Sequence, residues 1–265
     1  MASVTIGTVD LPERMDREKY FRVFSYLELS ALFAGPLEKK TLAKWPKGKL
    51  GLVAPFSLTH RKPPANARWA HDATSGDFRD SAPGRVALAA FREAIATVEA
   101  THAIFRSPTL FAPSAANREL LTRFFGEVAT EEAVGVPRVW VPDGLWEPRA
   151  AVAFATELGV ACAIDPLVVD PNTPFEAYDD LEAPALYFRV SGLGRGGAIR
   201  SEKLDELAAL CESYEDVPIT VAFDSSARWA DARNFTKVLA PIGSSAAAES
   251  PDAEADAEED LEDEG

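Results

Sequence analysis

The chain has 265 residues, 47% hydrophobic and 26% charged, with 16 Gly, 19 Pro and only 2 Cys. That profile excludes collagen-like, disulfide-built and wholly disordered proteins. The net charge of −15 is concentrated at one end: ten acids and no Lys or Arg lie within 249–265, which leaves −5 for the remainder, so a broad basic surface for nucleic acid is not expected.

The candidate strands in chain order are Val4–Thr8, Val23–Leu29, Lys49–Ala54, Ala103–Arg106, Arg138–Val141, Ala161–Ile164, Ala185–Val190 and Ile219–Phe223. In the second run Val23, Ser25, Leu27 and Leu29 share one direction, and Phe24, Tyr26 and Glu28 the other. Segments of helical period fall between the strands. In 85–99 the apolar stripe is Val86, Ala90, Phe91, Ala94 and Val98, and in 115–128 it is Leu120, Leu121, Phe124, Phe125 and Val128, after the cap candidate Ser114. Segment 148–158 opens on Pro148 and stops before Gly159, and 226–239 follows Ser225. In 201–214 the stripe is Leu204, Leu207, Ala208, Cys211 and Tyr214, with Ser201 as N-cap. Two connections are less regular. In 9–22 only Asp16–Phe21 has helical character, and in 167–184 Pro171, Pro174 and Pro184 forbid a long helix.

Strands alternating with helices argue for a parallel sheet. Eight strands in about 245 residues have the size and rhythm of a (β/α)8 barrel, for which about 250 residues is usual. An open doubly wound sheet is the runner-up. It normally carries a Gly-rich first turn, and Gly7-Thr8-Val9-Asp10 is not a G-x-G-x-x-G fingerprint. The expected organisation is a barrel over 1–242 and a disordered acidic tail over 243–265, whose alternating Ala and acid present no apolar face. As function, that tail would solubilise the chain or contact a basic protein partner. Cys162 and Cys211 read as buried free thiols, which fits a reducing, cytoplasmic setting. Neither a signal peptide nor a membrane-spanning run is visible.

Several ordered motifs resemble one family. They are Ile6-Gly7-Thr8, Leu27-Glu28-Leu29, Ser57-Leu58-Thr59-His60, Phe105-Arg106-Ser107-Pro108, Trp146-Glu147-Pro148-Arg149, Asp165-Pro166, Tyr187-Phe188-Arg189-Val190-Ser191-Gly192 and Phe223-Asp224-Ser225. Together, over about residues 4–239, they resemble the domain of unknown function 72 family, called YecE-like, as a divergent member. The resemblance implies a (β/α)8 barrel and a polar site, but no substrate, because the family's activity is not established. The departures fall on polar positions. Ser30 stands where the family has Asn, and Val53 and Phe56 where it has Lys and Arg. Arg106 replaces Gln, Ser191-Gly192 replaces His-Gly, and Asp224-Ser225 replaces Asn-Asn.

In a parallel barrel the functional face is formed by the strand C-termini and the loops after them. The polar residues expected there are Glu28, His60, Arg106, Glu147, Arg149, Asp165, Arg189 and Asp224. As function, Glu28, Glu147 and Asp165 are the catalytic acid/base candidates. His60, Arg106, Arg149, Arg189 and Asp224 are the ligand-binding candidates for a small anionic or phosphorylated molecule. As structure, the same residues form a self-satisfied network of ion pairs that fixes loops, and Glu147 gains by preceding a helix N-terminus. Convergence of Glu28, Glu147, Arg149, Asp165 and Arg189 at one mouth is expected. His60 with the carboxylates has metal-ligand chemistry, but no H-E-x-x-H or paired C-x-x-C spacing supports a metal, and no cofactor is indicated. His102 begins a strand and is expected at the opposite end. The Gly-dense run Ser191–Gly197 reads as a phosphate-binding loop or a plain surface loop, and Trp69, Trp140, Trp146 and Trp229 as ligand-stacking or packing residues. Ser57, Ser191 and Ser225 lack a triad context. Two functions follow: a divergent barrel enzyme acting on a small anion, or a non-catalytic binding or scaffold protein that kept the barrel.

Overall fold

The β-rich runs form eight strands: β1 (Val4–Val9), β2 (Tyr26–Leu29), β3 (Leu50–Val53), β4 (His102–Arg106), β5 (Arg138–Val141), β6 (Ala161–Ile164), β7 (Leu186–Val190) and β8 (Ile219–Phe223). A computed structural model describes residues 3–143, 145–168, 178–192, 197–214 and 216–239. The strands pair in sequence order into a closed barrel, and every pairing is parallel. Closure is made by β1 on β8, with Val4 opposite Ile219 through Thr8 opposite Phe223. The anticipated (β/α)8 architecture is therefore the observed one, and the open sheet is excluded. Segment 240–265, which contains the acidic tail, lies outside the described residues.

The helices are α1 (Arg17–Val23), α2 (Ala31–Ala34), α3 (Lys39–Leu42), α4 (Phe56–Thr59), α5 (Ala82–Val98), α6 (Ala115–Arg123), α7 (Glu131–Val134), α8 (Pro148–Glu157), α9 (Ser201–Ser213) and α10 (Arg228–Leu239). Capping sets several starts. Ser81 accepts from Gly84 N at α5, Ser114 from Asn117 N at α6, and Thr130 from Ala133 N at α7. α8 stops just before Gly159, whose φ of +67° costs a glycine little.

The structure shifts three boundaries. Val23 closes α1 instead of opening β2, because Asp16 caps that helix by accepting from Glu18 N and Lys19 N and so extends it past Phe21. Ser201 is the first residue of α9, not its cap. The Arg200 carbonyl already accepts from Lys203 N and Leu204 N, one residue earlier. The 115–128 stripe is α6 followed by a π-helical turn, Phe124–Val128, and Phe124 and Phe125 are both buried.

Side chains alternate between two cores. Val9, Tyr26, Val53, Ile104, Val139, Ala163, Tyr187 and Ala222 fill the barrel, while Leu27, Leu52, Phe105, Trp140, Phe188 and Val221 pack outward under the helices. Two tyrosines on the axis require small residues opposite. A Cβ on Gly51 would lie 2.0 Å from the Tyr26 hydroxyl. Cys162 and Cys211 are free and buried. Among the described residues no helix is long and apolar enough to cross a membrane.

Candidate functional site

The alternation that turns Leu27 and Leu29 outward turns Tyr26 and Glu28 into the barrel, and Glu28 is fully buried. A carboxylate there needs donors, which β7 supplies from two inward positions. Tyr187 Oη donates to Glu28 Oε2 at 2.7 Å, and Arg189 Nε to Oε1 at 3.2 Å. The two tyrosine hydroxyls are 3.0 Å apart. A phenol has one proton and Tyr187 gives its own to Glu28, so Tyr26 donates to Tyr187. Burial, followed by the Glu28 charge, pushes the pKa of both phenols well above the usual value.

Arg189 reaches past Glu28 to Asp224, with Nη1 at 3.0 Å from Oδ2. Burial works against the Arg189 charge, but Glu28 and Asp224 more than offset it, and its pKa is raised. The result is a continuous line across the barrel from Tyr26 through Tyr187, Glu28 and Arg189 to Asp224.

Arg106, the last residue of β4, is placed differently. Burial lowers its pKa, the neighbouring Arg189 charge lowers it further, and Glu28, Asp224 and Asp143 compensate only in part. Among the described residues no carboxylate comes within 4 Å of its guanidinium, which lies 5.8 Å from the centre of the Phe33 ring. His60 packs edge-on to that ring at 5.0 Å, and its Nδ1 is 2.8 Å from Thr59 Oγ1. Burial and the Arg106 charge push the His60 pKa down to about 4, so at neutral pH its imidazole is uncharged.

The other nominated residues do different work. Asp165, just beyond β6, accepts from Ser191 N and Oγ at 2.7 Å each and from Leu167 N at 3.1 Å. It thus clasps the ends of β6 and β7. Burial raises its pKa against the pull of those donors. Glu147 is exposed and caps α8, accepting from Arg149 N at 3.0 Å and Ala150 N at 2.7 Å. Arg149 sits exposed on the first turn of α8 and acts electrostatically on Tyr214, at the end of α9. Of the five side chains expected to converge, Glu28 and Arg189 meet. Asp165 is tied to the residue after Val190. Glu147 and Arg149 take no part in the contacts that hold Glu28, because the α8 amides claim the Glu147 carboxylate first.

Tyr26, Tyr187 and Phe33 belong to this constellation and were not nominated from the sequence. The signal for two of them was present: Tyr26 precedes Glu28 by two residues and Tyr187 precedes Arg189 by two, so each pair shares a strand face. His102 lies at the start of β4, as expected. Its ring meets the edges of Tyr26 and Tyr187 from below, and burial pushes its pKa down to about 4. The tryptophans pack: Trp140 donates to Ser107 Oγ, Trp69 to Leu32 O and Trp146 to Phe111 O, and Trp229 lies against Tyr20 and Phe24. Residues 193–196 of the Gly-dense run lie outside the described residues. Its flank is anchored where Asp231 accepts from Ile199 N and from Ser225 Oγ.

Neither a protein-family model nor a curated protein matches this sequence. Solved structures do match in fold. A DUF72 family protein from Enterococcus faecalis is 14% identical, with 89% of this chain and 95% of that one covered and a TM-score of 0.64. A DUF72 family protein from Thermotoga maritima is 15% identical, with 89% and 99% covered and a TM-score of 0.58. The IolI protein, solved with a bound zinc atom, is 9% identical, with 89% and 98% covered and a TM-score of 0.55. The likeness extends over nearly the whole of each barrel, and in fold the chain resembles the DUF72 proteins. Zinc does not carry over: among the described residues no three His, Cys, Asp or Glu side chains are grouped to hold a metal ion.

Proposed function

We propose that the strand C-terminal mouth binds a small anionic ligand, with Arg106 holding the negative charge and His60 beside it as a neutral hydrogen-bonding partner. One contrast carries this reading: Arg189 is matched by two carboxylates, whereas Arg106 is held partly buried without one in salt-bridge range among the described residues. A guanidinium in that state gains from an incoming carboxylate or phosphate, which it can grip with two parallel hydrogen bonds. Arg189 supports the site through its fixed position, and Glu28 and Tyr187 position Arg189. Within the enzymatic form of this reading Asp224 takes the proton-transfer role, since its side chain keeps 29% of its exposure at the network while that of Glu28 keeps none. The commitment of Glu28, Asp165 and Glu147 to protein donors favours the second form, a binding barrel without catalysis. Two buried free thiols support a cytoplasmic setting.

The test is calorimetric titration of the full chain with acetate, sulfate and inorganic phosphate, repeated on Arg106→Ala and Arg189→Ala. Millimolar binding is expected in the parent chain and its loss in Arg106→Ala, with thermal unfolding little changed. Arg189→Ala leaves Glu28 charged and buried and is expected to destabilise by about 3–5 kcal/mol. A parent chain that binds none of these anions, with Arg106→Ala indistinguishable from it, would remove the reading.

A further inference from the structure

Three large apolar side chains stand in solvent on loops at the functional face: Leu110 (92% exposed), Leu145 (84%) and Val168 (43%). Their positions share a rule. β4, β5 and β6 are consecutive neighbours in the barrel, and Arg106 is in register with Val141. Leu110 is the fourth residue beyond Arg106, Leu145 the fourth beyond Val141 and Val168 the fourth beyond Ile164, the last residues of those strands. Parallel strands end on one face, so equal offsets place the three side chains on one arc of the rim, and the arc starts above Arg106. A four-residue segment spans at most about 14 Å, which puts Leu110 within a small molecule's length of that guanidinium. Isolated exposed leucines need no explanation, but a contiguous apolar arc bordering a polar mouth marks a binding surface.

We infer that the ligand is amphiphilic: a single carboxylate head on Arg106, and an alkyl or aryl arm lying over Leu110, Leu145 and Val168. The inference rests on the anion-binding reading above and narrows it. A phosphorylated sugar, polar on all sides, would leave the arc in water, whereas an apolar arm removes both surfaces from water together. The charge arrangement selects the head. Arg189 is already matched by Glu28 and Asp224, so one guanidinium is on offer, and it suits one carboxylate better than a dianion.

The experiment is a chain-length series. The full chain is titrated with acetate, butyrate, hexanoate and octanoate, and with inorganic phosphate, alongside Arg106→Ala and the double variant Leu110→Asp/Leu145→Asp. Both leucines are exposed, so the double variant is expected to fold as the parent does. Affinity should rise about two- to fourfold for each methylene added. The rise should flatten in the double variant while acetate binding stays as in the parent, and Arg106→Ala should lose the whole series. If phosphate and every carboxylate bind alike and Arg106→Ala abolishes them all, the amphiphile is wrong and the anion site stands. If no anion binds, both fall. A concentration-dependent dimer, or binding to anionic lipid vesicles, that the double variant abolishes without any chain-length effect would assign the arc to a second copy or to a membrane and overturn the inference.

Discussion

Gly51 lacks a side chain because Tyr26 occupies the place where one would go. A Cβ there would meet the Tyr26 hydroxyl at 2.0 Å and Ile104 Cδ1 at 2.9 Å. The tyrosine cannot simply swing aside, since its Oη is hydrogen-bonded to Tyr187 and its ring is boxed in by Tyr187 and His102. Gly51→Ala is therefore expected to cost about 3 kcal/mol, at the upper end of overpacking penalties. Adding Tyr26→Phe, which removes the nearest atom, should recover part of the loss. Urea unfolding of the two variants decides the matter; an unchanged midpoint for Gly51→Ala would show that the axis has room to adjust.

At the scale of elements, the connections at the strand N-terminal end are held by one buried cation. Arg138 opens β5 and is 6% exposed. Its guanidinium donates to Phe125 O and Ala129 O at 3.0 Å and to Gly159 O at 2.9 Å. It thereby satisfies carbonyls of the π-helical turn and of the segment after α8, which would otherwise have no helical donor. The Glu131 carboxylate, 3.8 Å away and 69% exposed, adds little. Arg138→Met keeps the apolar stem and loses three bonds, so a loss of about 2–4 kcal/mol is expected. Arg138→Lys, able to reach fewer carbonyls, should fall between the two in a denaturant titration. A Met variant as stable as the parent would mean that water reaches those carbonyls.

For the whole molecule, the decisive contact is between residues more than two hundred positions apart, where β1 meets β8 over five registered pairs. Closure leaves no free sheet edge. α10 completes this seam by packing Ala232 and Phe235 into the core against β1 and β8. The ten acids of 249–265 follow that helix in sequence and repel one another. Deleting 243–265 is expected to move the thermal midpoint by less than about 2 °C, whereas truncation before Phe235 should abolish cooperative unfolding. A large loss on removing the tail alone would show that it docks on the barrel.

Much of this molecule was determined locally. Alternation along 23–29 sends Tyr26 and Glu28 to the same side whatever the tertiary fold. Pro148 and Gly159 bound α8, and the rhythm of strands and helical stripes implies a parallel sheet. Local pattern failed where two local preferences compete: Asp16 as a cap prolonged α1 over Val23, and α8's own amides took the Glu147 carboxylate. Only the tertiary structure decided who faces whom across the axis. Glu28 finds Tyr187 and Arg189 159 and 161 positions away, and Arg106 is left without a matching carboxylate because Glu28 and Asp224 both fall to Arg189. Periodicity fixes the direction of a side chain within its own strand, whereas its partner depends on which strands close the barrel and in what register.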